Sequence, residues 1–294
     1  MNHGLKTIRY IFEGVFLTII FYLFQALPFF MASLIGGIIL RFTGPLLPAH
    51  QLAKEQIMKA LPDLKSKEVD QTLISMWWHL GRVAGEYPKL PKIRNPYSSK
   101  FIDIVGGQNI SSAISDKNGA IFLSGHIGNW EIIGNVLADY GANLGAVYRA
   151  PNNPIVKTII NNIRKKTITS MFPKGSSGAK GLIKHLKSHG QVCMLIDQRM
   201  NDGIAVPFFG KDAMTAPALA ELALKYHCSV WPIRVERLKG VKYRVTVYPQ
   251  IKIKTSGNHK EDVRKIMQNA NHILEEWIAE RPDQWLWPHR RWRD

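Results

Sequence analysis

Residues 120–131 read Ala-Ile-Phe-Leu-Ser-Gly-His-Ile-Gly-Asn-Trp-Glu, and helical spacing of apolar residues resumes from Ile132 to Tyr140. The first five residues form a short apolar run of buried-strand type, and Asn129 is a competent N-cap for the helix that follows. The stretch therefore predicts a strand, a loop and a helix. His126 falls in the loop, five residues before Glu131. On one ideal helix such a pair would be about 140° apart and could not share a face. With His126 in the loop and Glu131 in the first turn, the two side chains can meet. The carboxylate would then hold one ring nitrogen and leave the other to remove a proton from an alcohol, which requires no serine nucleophile.

The same alternation extends on both sides. Strand-like runs at 119–124, 144–149, 191–196, 229–237 and 242–253 interleave with helix-like runs near 129–140, 154–166, 176–188 and 215–227. That order argues for an α/β fold, a mixed sheet with helices on its faces. Lys67–Tyr87 and residues 260–280 add two amphipathic helices, the second stopping before Pro282.

Gly14 to Leu40 contains no charged residue. A membrane span needs roughly 20 apolar residues, so the run suits an N-terminal hydrophobic membrane-anchor helix, although a buried core helix has the same composition. Gln25 and Pro28 interrupt it and permit a kinked or re-entrant path. The expected division is an anchor at 1–48 and one catalytic domain at 49–294, which a 294-residue chain with 46% hydrophobic residues can support. Cys193 and Cys228 lack metal-site spacing and read as reduced core thiols. The net charge of +17 calls for an acidic partner or surface.

Three further clusters fall where such a sheet presents loops. Tyr148-Arg149-Ala150-Pro151-Asn152-Asn153-Pro154 follows a strand and would hold Arg149, with Asn153, near its carboxyl end. Arg149 there suits a phosphate or an oxyanion, and equally a surface ion pair. Phe172 to Gly178, with Lys174, leads into a helix whose free amides suit an anion or a plain capping turn. Asp197-Gln198-Arg199 ends a strand, and Val206-Pro207-Phe208-Phe209-Gly210 follows. This mixture fits a site for a polar head and an acyl chain, unless Phe208 and Phe209 are a core pair.

Taken in order, these motifs, with Trp78-His79-Leu80-Gly81-Arg82, Glu86, Thr215 and the closing Pro282-Asp283-Gln284-Trp285-Leu286-Trp287-Pro288-His289-Arg290-Arg291-Trp292, resemble the late acyltransferases of lipid A biosynthesis. These lauroyl and myristoyl transferases are related to the wider lysophospholipid and glycerol-phosphate acyltransferases. The resemblance implies a glycerol-phosphate acyltransferase-like fold at the inner membrane, its catalytic domain facing the cytoplasm. It also implies acyl transfer from acyl carrier protein to a hydroxyl of a phosphorylated, Kdo-bearing glycolipid, without cofactor, metal or acyl-enzyme. His126 would be the general base and Glu131 its orienting partner. Arg149, Asn153, Lys174, Asp197, Gln198, Arg199, Phe208 and Phe209 would bind substrate. The wider superfamily often carries Asn before the His and Asp as the carboxylate, where this chain has Gly125 and Glu131.

Lys157, Arg164, Lys165 and Lys166, or Lys180, Lys184 and Lys187, would serve as a docking face for the acidic carrier protein, or simply as solvated helix surface. The Trp- and Arg-rich C-terminus reads as an interfacial anchor or a structural seam. A hydrolase would need a nucleophile, and no Gly-x-Ser-x-Gly elbow is present. A nucleic-acid binder would explain the charge but leaves His126 and Glu131 without a role.

Overall fold

Pro28 splits the N-terminal apolar run into two helices, α1 (His3–Ala26) and α2 (Phe29–Thr43). Proline supplies no amide hydrogen and disfavours helical geometry at the preceding Leu27, so the first helix cannot continue. The anchor expected as one helix is thus two. The computed structural model describes residues 3–94, 98–148, 151–173 and 175–292. Thr7–Ala26 and Phe29–Leu46 are each long and apolar enough to cross a membrane.

After α3 (Pro48–Ala60), helix α4 (Ser66–Glu86) runs antiparallel along α2. Glycines set the spacing of this pair. A Cβ on Gly81 would lie 2.1 Å from the Gly36 carbonyl oxygen, and one on Gly85 would lie 2.3 Å from that of Ala32. The opposite side of α2 leaves Phe30, Ile38, Ile39 and Phe42 exposed. One helix therefore carries a small-residue seam towards the domain and a bulky apolar surface away from it.

Seven strands form the main sheet: β1 (Ile102–Val105), β2 (Ala120–Ser124), β3 (Leu144–Tyr148), β4 (Ser170–Pro173), β5 (Gln191–Leu195), β8 (Ser229–Arg237) and β9 (Tyr243–Val247). Their order is β1-β9-β8-β2-β5-β3-β4, and every pairing is parallel except β8 with β9. A separate hairpin, β6 (Ile204–Phe208) and β7 (Lys211–Thr215), follows β5. Helices α5 (Ser98–Phe101), α6 (Gly107–Ile114), α7 (Ile132–Asp139), α8 (Pro154–Arg164), α9 (Ser176–Lys187), α10 (Ala218–Tyr226) and α11 (His259–Glu280) connect them.

β2 is buried on both sides, as a central parallel strand must be. Ile121 and Leu123 face a core with α3, α4, α10, α11 and the C-terminal tryptophans, whereas Ala120 and Phe122 face a second core with α6 and α7. The period of two divides one apolar run between two layers. The result is the expected mixed α/β sheet flanked by helices. Neither cysteine is in a disulfide, and burial pushes the thiols up to about 12 at Cys193 and about 11 at Cys228.

Candidate active site

β2 and β5 are neighbouring parallel strands, so the residues just beyond their carboxyl ends emerge side by side. His126 follows β2 and Asp197 follows β5. The His126 imidazole Nδ1 donates to Asp197 Oδ1 at 2.7 Å, and the His126 backbone N–H donates to Oδ2 at 2.7 Å. Gly125 leaves the room for this contact, since a Cβ there would sit 3.2 Å from Asp197 Oδ2. With Nδ1 carrying the hydrogen towards a carboxylate, Nε2 is the bare nitrogen. It faces the Gln198 side-chain amide at 3.5 Å, too long for more than a weak bond.

Burial alone would raise the Asp197 carboxyl. The imidazole outweighs it by charge and hydrogen bonding and holds Asp197 far below the usual carboxylate range. Burial likewise lowers His126, but the Asp197 charge and hydrogen bond lift it above its ordinary value. The His126 side chain is 17% exposed and Asp197 is fully buried, so the pair offers one face outward.

Glu131 is not the partner of the imidazole. Its carboxylate takes a two-pronged contact from Arg164, Nε to Oε2 at 3.2 Å and Nη2 to Oε1. The α8 guanidinium outcompetes the ring because it approaches the α7 N-terminus directly, while the register of β2 and β5 already delivers Asp197 to His126. Glu131 still acts on His126 through space, raising its pKa. Trp130 closes the other side, its ring edge on the imidazole at 5.1 Å between centroids.

The family of the whole chain follows from comparison. Residues 2–294 match the family model described as bacterial lipid A biosynthesis acyltransferase. The chain belongs to that family. The lipid A biosynthesis palmitoleoyltransferase of Escherichia coli (strain K12) is 22% identical over 282 residues, which cover 93% of this chain and 89% of the relative. A phosphatidylinositol mannoside acyltransferase of Mycolicibacterium smegmatis is 22% identical over 210 residues, 69% of this chain and 66% of that one. Among solved structures, the 1-acyl-sn-glycerophosphate acyltransferase of Thermotoga maritima aligns over 84% of this chain and 99% of its own with 13% identity and a TM-score of 0.40.

In this lipid A acyltransferase family member, the loop bearing His126 is held from below by a buried polar network. His79 Nε2 donates to the Gly128 carbonyl at 3.1 Å, and Asn129 Nδ2 donates to Glu86 Oε2 at 2.8 Å. Asn129 therefore does not cap α7, whose N-cap position is Glu131. Arg237 clamps Glu86 through Nη1 at 2.6 Å and Nη2 at 2.9 Å, while its Nε donates to His79 Nδ1 at 3.2 Å. Tyr243 and Ser33 donate to the same carboxylate. Gly128 has φ +59, and a Cβ there would lie 2.1 Å from the Val235 carbonyl oxygen, so only glycine makes this turn. Burial and Arg237 drive His79 down to about 3, keeping it neutral.

The C-terminal segment of this acyltransferase is a seam built into the site. Trp285 Nε1 donates to Asp197 Oδ2 at 2.7 Å, and backbone bonds join Leu286 N–H to His126 and Gly128 N–H to Gln284. Arg291 is fully buried over the Phe208 ring and donates to Thr215 Oγ1 at 2.8 Å.

Several substrate-binding expectations change accordingly. Asp197 has no exposed surface and serves His126. Phe208 is fully buried among Trp285, Trp292 and Phe209, and Phe209 sits at the hairpin corner with φ +50, its N–H bonded to Glu275. Phe208 has no surface left for an acyl chain, whereas Phe209 is half-buried. Asn153 is buried as the α8 N-cap, accepting from Ile155 N–H at 3.0 Å and donating to the Tyr10 carbonyl of α1 at 2.8 Å. Gln198 is exposed beside His126, and Arg199 has a buried Nε without a hydrogen-bond partner among the described residues. Arg149 and Lys174 lie outside the described residues. Arg164, first assigned to a docking surface, is the residue that sequence reasoning missed here; its place at the end of α8 gave no local signal.

Proposed function

We propose that this protein transfers a fatty acyl chain from acyl carrier protein to a hydroxyl of a Kdo-bearing, phosphorylated lipid A precursor. The observation that carries this reading is the His126–Asp197 pair at 2.7 Å, with Nε2 open, in a chain that belongs to the lipid A acyltransferase family. His126 Nε2 takes the proton of the acceptor hydroxyl as its oxygen attacks the thioester carbonyl carbon. The C–O bond forms, the C–S bond breaks, and the imidazolium returns its proton to the departing thiolate. Asp197 keeps the ring in the required tautomer and stabilises the imidazolium. General-base assistance supplies roughly 10²–10⁴-fold, so positioning and oxyanion stabilisation must supply the remainder.

Glu131 acts in this scheme by fixing Arg164, which holds a guanidinium beside the imidazole for the acceptor's phosphate or the developing oxyanion. Gln198, Arg199 and Arg149 are the further polar candidates for substrate contact. The basic excess matches an acidic carrier protein and a phosphorylated acceptor, and α1 and α2 would anchor the chain at the inner membrane with the domain on the cytoplasmic side, where such a carrier is found.

The test is transfer of labelled acyl groups from acyl carrier protein to the Kdo-bearing precursor by membranes containing the protein. Product from the parent, lost in folded His126→Ala, supports the reading. A parent inactive on that acceptor across several chain lengths refutes it. Activity on a phosphatidylinositol mannoside instead would favour the second reading, an acceptor of the kind named in the mycobacterial relative.

A further inference from the structure

Where α1 gives way to α2, an open cavity of about 510 Å³ is lined by Phe29, Lys89, Lys92, Ile93 and Phe101. Phe29 begins α2, Phe101 ends α5, and their rings meet edge to face at 5.2 Å. Lys89 and Lys92 come from the 3₁₀ turn Tyr87–Lys92 that follows α4. Lys89 is only 9% exposed, whereas Lys92 is exposed. Neither ammonium has a hydrogen bond or ion pair among the described residues, and lysine is almost never buried unpaired. No carboxylate is among the residues lining the cavity, and Glu86, three residues before Lys89, is paired with Arg237. Burial and the charge of Lys92 both depress Lys89, which marks the site as short of an anion. A second cavity shows the contrast: Lys100 and Lys242 share it with Asp103 and Asp139, so its charges are mixed.

We propose that the Phe29–Lys89–Lys92–Phe101 cavity binds the phosphate head group of an anionic membrane lipid. The two ammonium groups supply the charge complement, and the phenyl rings flank the less polar part of the head. Phe30, next in sequence to Phe29, is 60% exposed, so the cavity is continuous with the bare apolar surface of α2. A lipid standing beside α2 thereby presents its phosphate to the lysines. The cavity shares no lining residue with the His126 site, and lipid binding there requires no acyl transfer, so it is tested independently of the proposed reaction.

The test uses the purified full-length chain in detergent, titrated with phosphatidylglycerol or phosphatidylcholine and read by native mass spectrometry. The expected result is selective retention of phosphatidylglycerol, weakened about fivefold per lysine removed, hence about 25-fold in K89Q/K92Q. K252Q/K254Q makes the same charge change at exposed positions elsewhere and should leave retention as in the parent. Equal loss in both double variants would overturn the site in favour of diffuse attraction. Displacement by millimolar inorganic phosphate as effective as by lipid would overturn the lipid assignment. Should K89Q lower the melting temperature, K92Q alone must still show the fivefold loss; its failure to do so would also overturn the proposal.

Discussion

A bare Nε2 on a ring whose other nitrogen is tied to a buried carboxylate has consequences that can be measured in solution. The proposed base works only when neutral, and Asp197 raises its pKa. Activity should therefore fall on the acid side at a pH above the ordinary imidazole value of about 6.5. Asp197→Asn should move that acid limb downward and lower kcat by about 10²-fold or more, because the tautomer is no longer enforced; an unmoved limb would remove Asp197 from the mechanism. Stability runs in the opposite sense. The contribution of the raised imidazole is complete below about 6.5 and is lost as pH climbs through the folded value. Glu131→Gln separates two roles: loss of Arg164 placement should raise KM or lower kcat, and loss of the Glu131 charge should move the acid limb downward by less than Asp197→Asn does. The partner of His126 was not readable locally, because Asp197 lies 71 residues away and the meeting depends on β2 and β5 being neighbours. Strand order is not encoded in hydrophobic period. Glu131, nearer in sequence, looked the better partner for that reason alone.

At the scale of elements, the runs at 120–124, 191–195 and 229–237 announced their strands because each is built around an apolar stretch, with β2 buried at every position and β8 at all but Glu236. β1, with Asp103 mid-strand, and the hairpin β6–β7, with Pro207, Lys211 and Asp212, did not, because edge and hairpin positions tolerate polar residues and proline. Phe208 and Phe209 were ambiguous for a related cause, since an aromatic pair after a strand reads alike whether it lines a channel or fills a core. The α2–α4 seam gives a direct prediction. Gly81→Ala places a methyl group against backbone, which cannot rotate away, and should destabilise by about 1–3 kcal/mol in a detergent melt. A change within error would mean the two helices can part without penalty. Glu86→Gln leaves Arg237 buried without its counter-charge, and should cost about 3–5 kcal/mol. Activity falling no further than stability does would make this network purely structural.

Across the whole molecule, the boundary expected at residue 48 cuts through packing rather than between domains. Gly36, Gly37 and Gly44 press on α4, and Ser33 donates to the same carboxylate that holds Asn129. A chain beginning at Phe29 should therefore fold with a lower melt, having lost the Tyr10 acceptor of Asn153, whereas one beginning at Ala49 should expose the Trp77–Gly85 face and aggregate. A monodisperse, active 49–294 chain would restore the original boundary. Protons provide a second global probe. His79 titrates at about 3 when folded against about 6.5 when exposed, so the unfolded state binds its proton first. Stability should fall as pH drops from about 6.5 towards 3, by up to about 1.4 kcal/mol per pH unit from this group, and His79→Gln should flatten that slope.

The indole of Trp285 reaches Asp197 from a segment that the ribosome makes long after His126 and Asp197 have emerged. A nascent chain can already have α1 and α2 lodged beside lipid while its carboxylate still lacks that hydrogen bond and the loop at Gly128 still lacks its bond to Gln284. Completion of the His126–Asp197 surroundings would thus come after the apolar helices have been made.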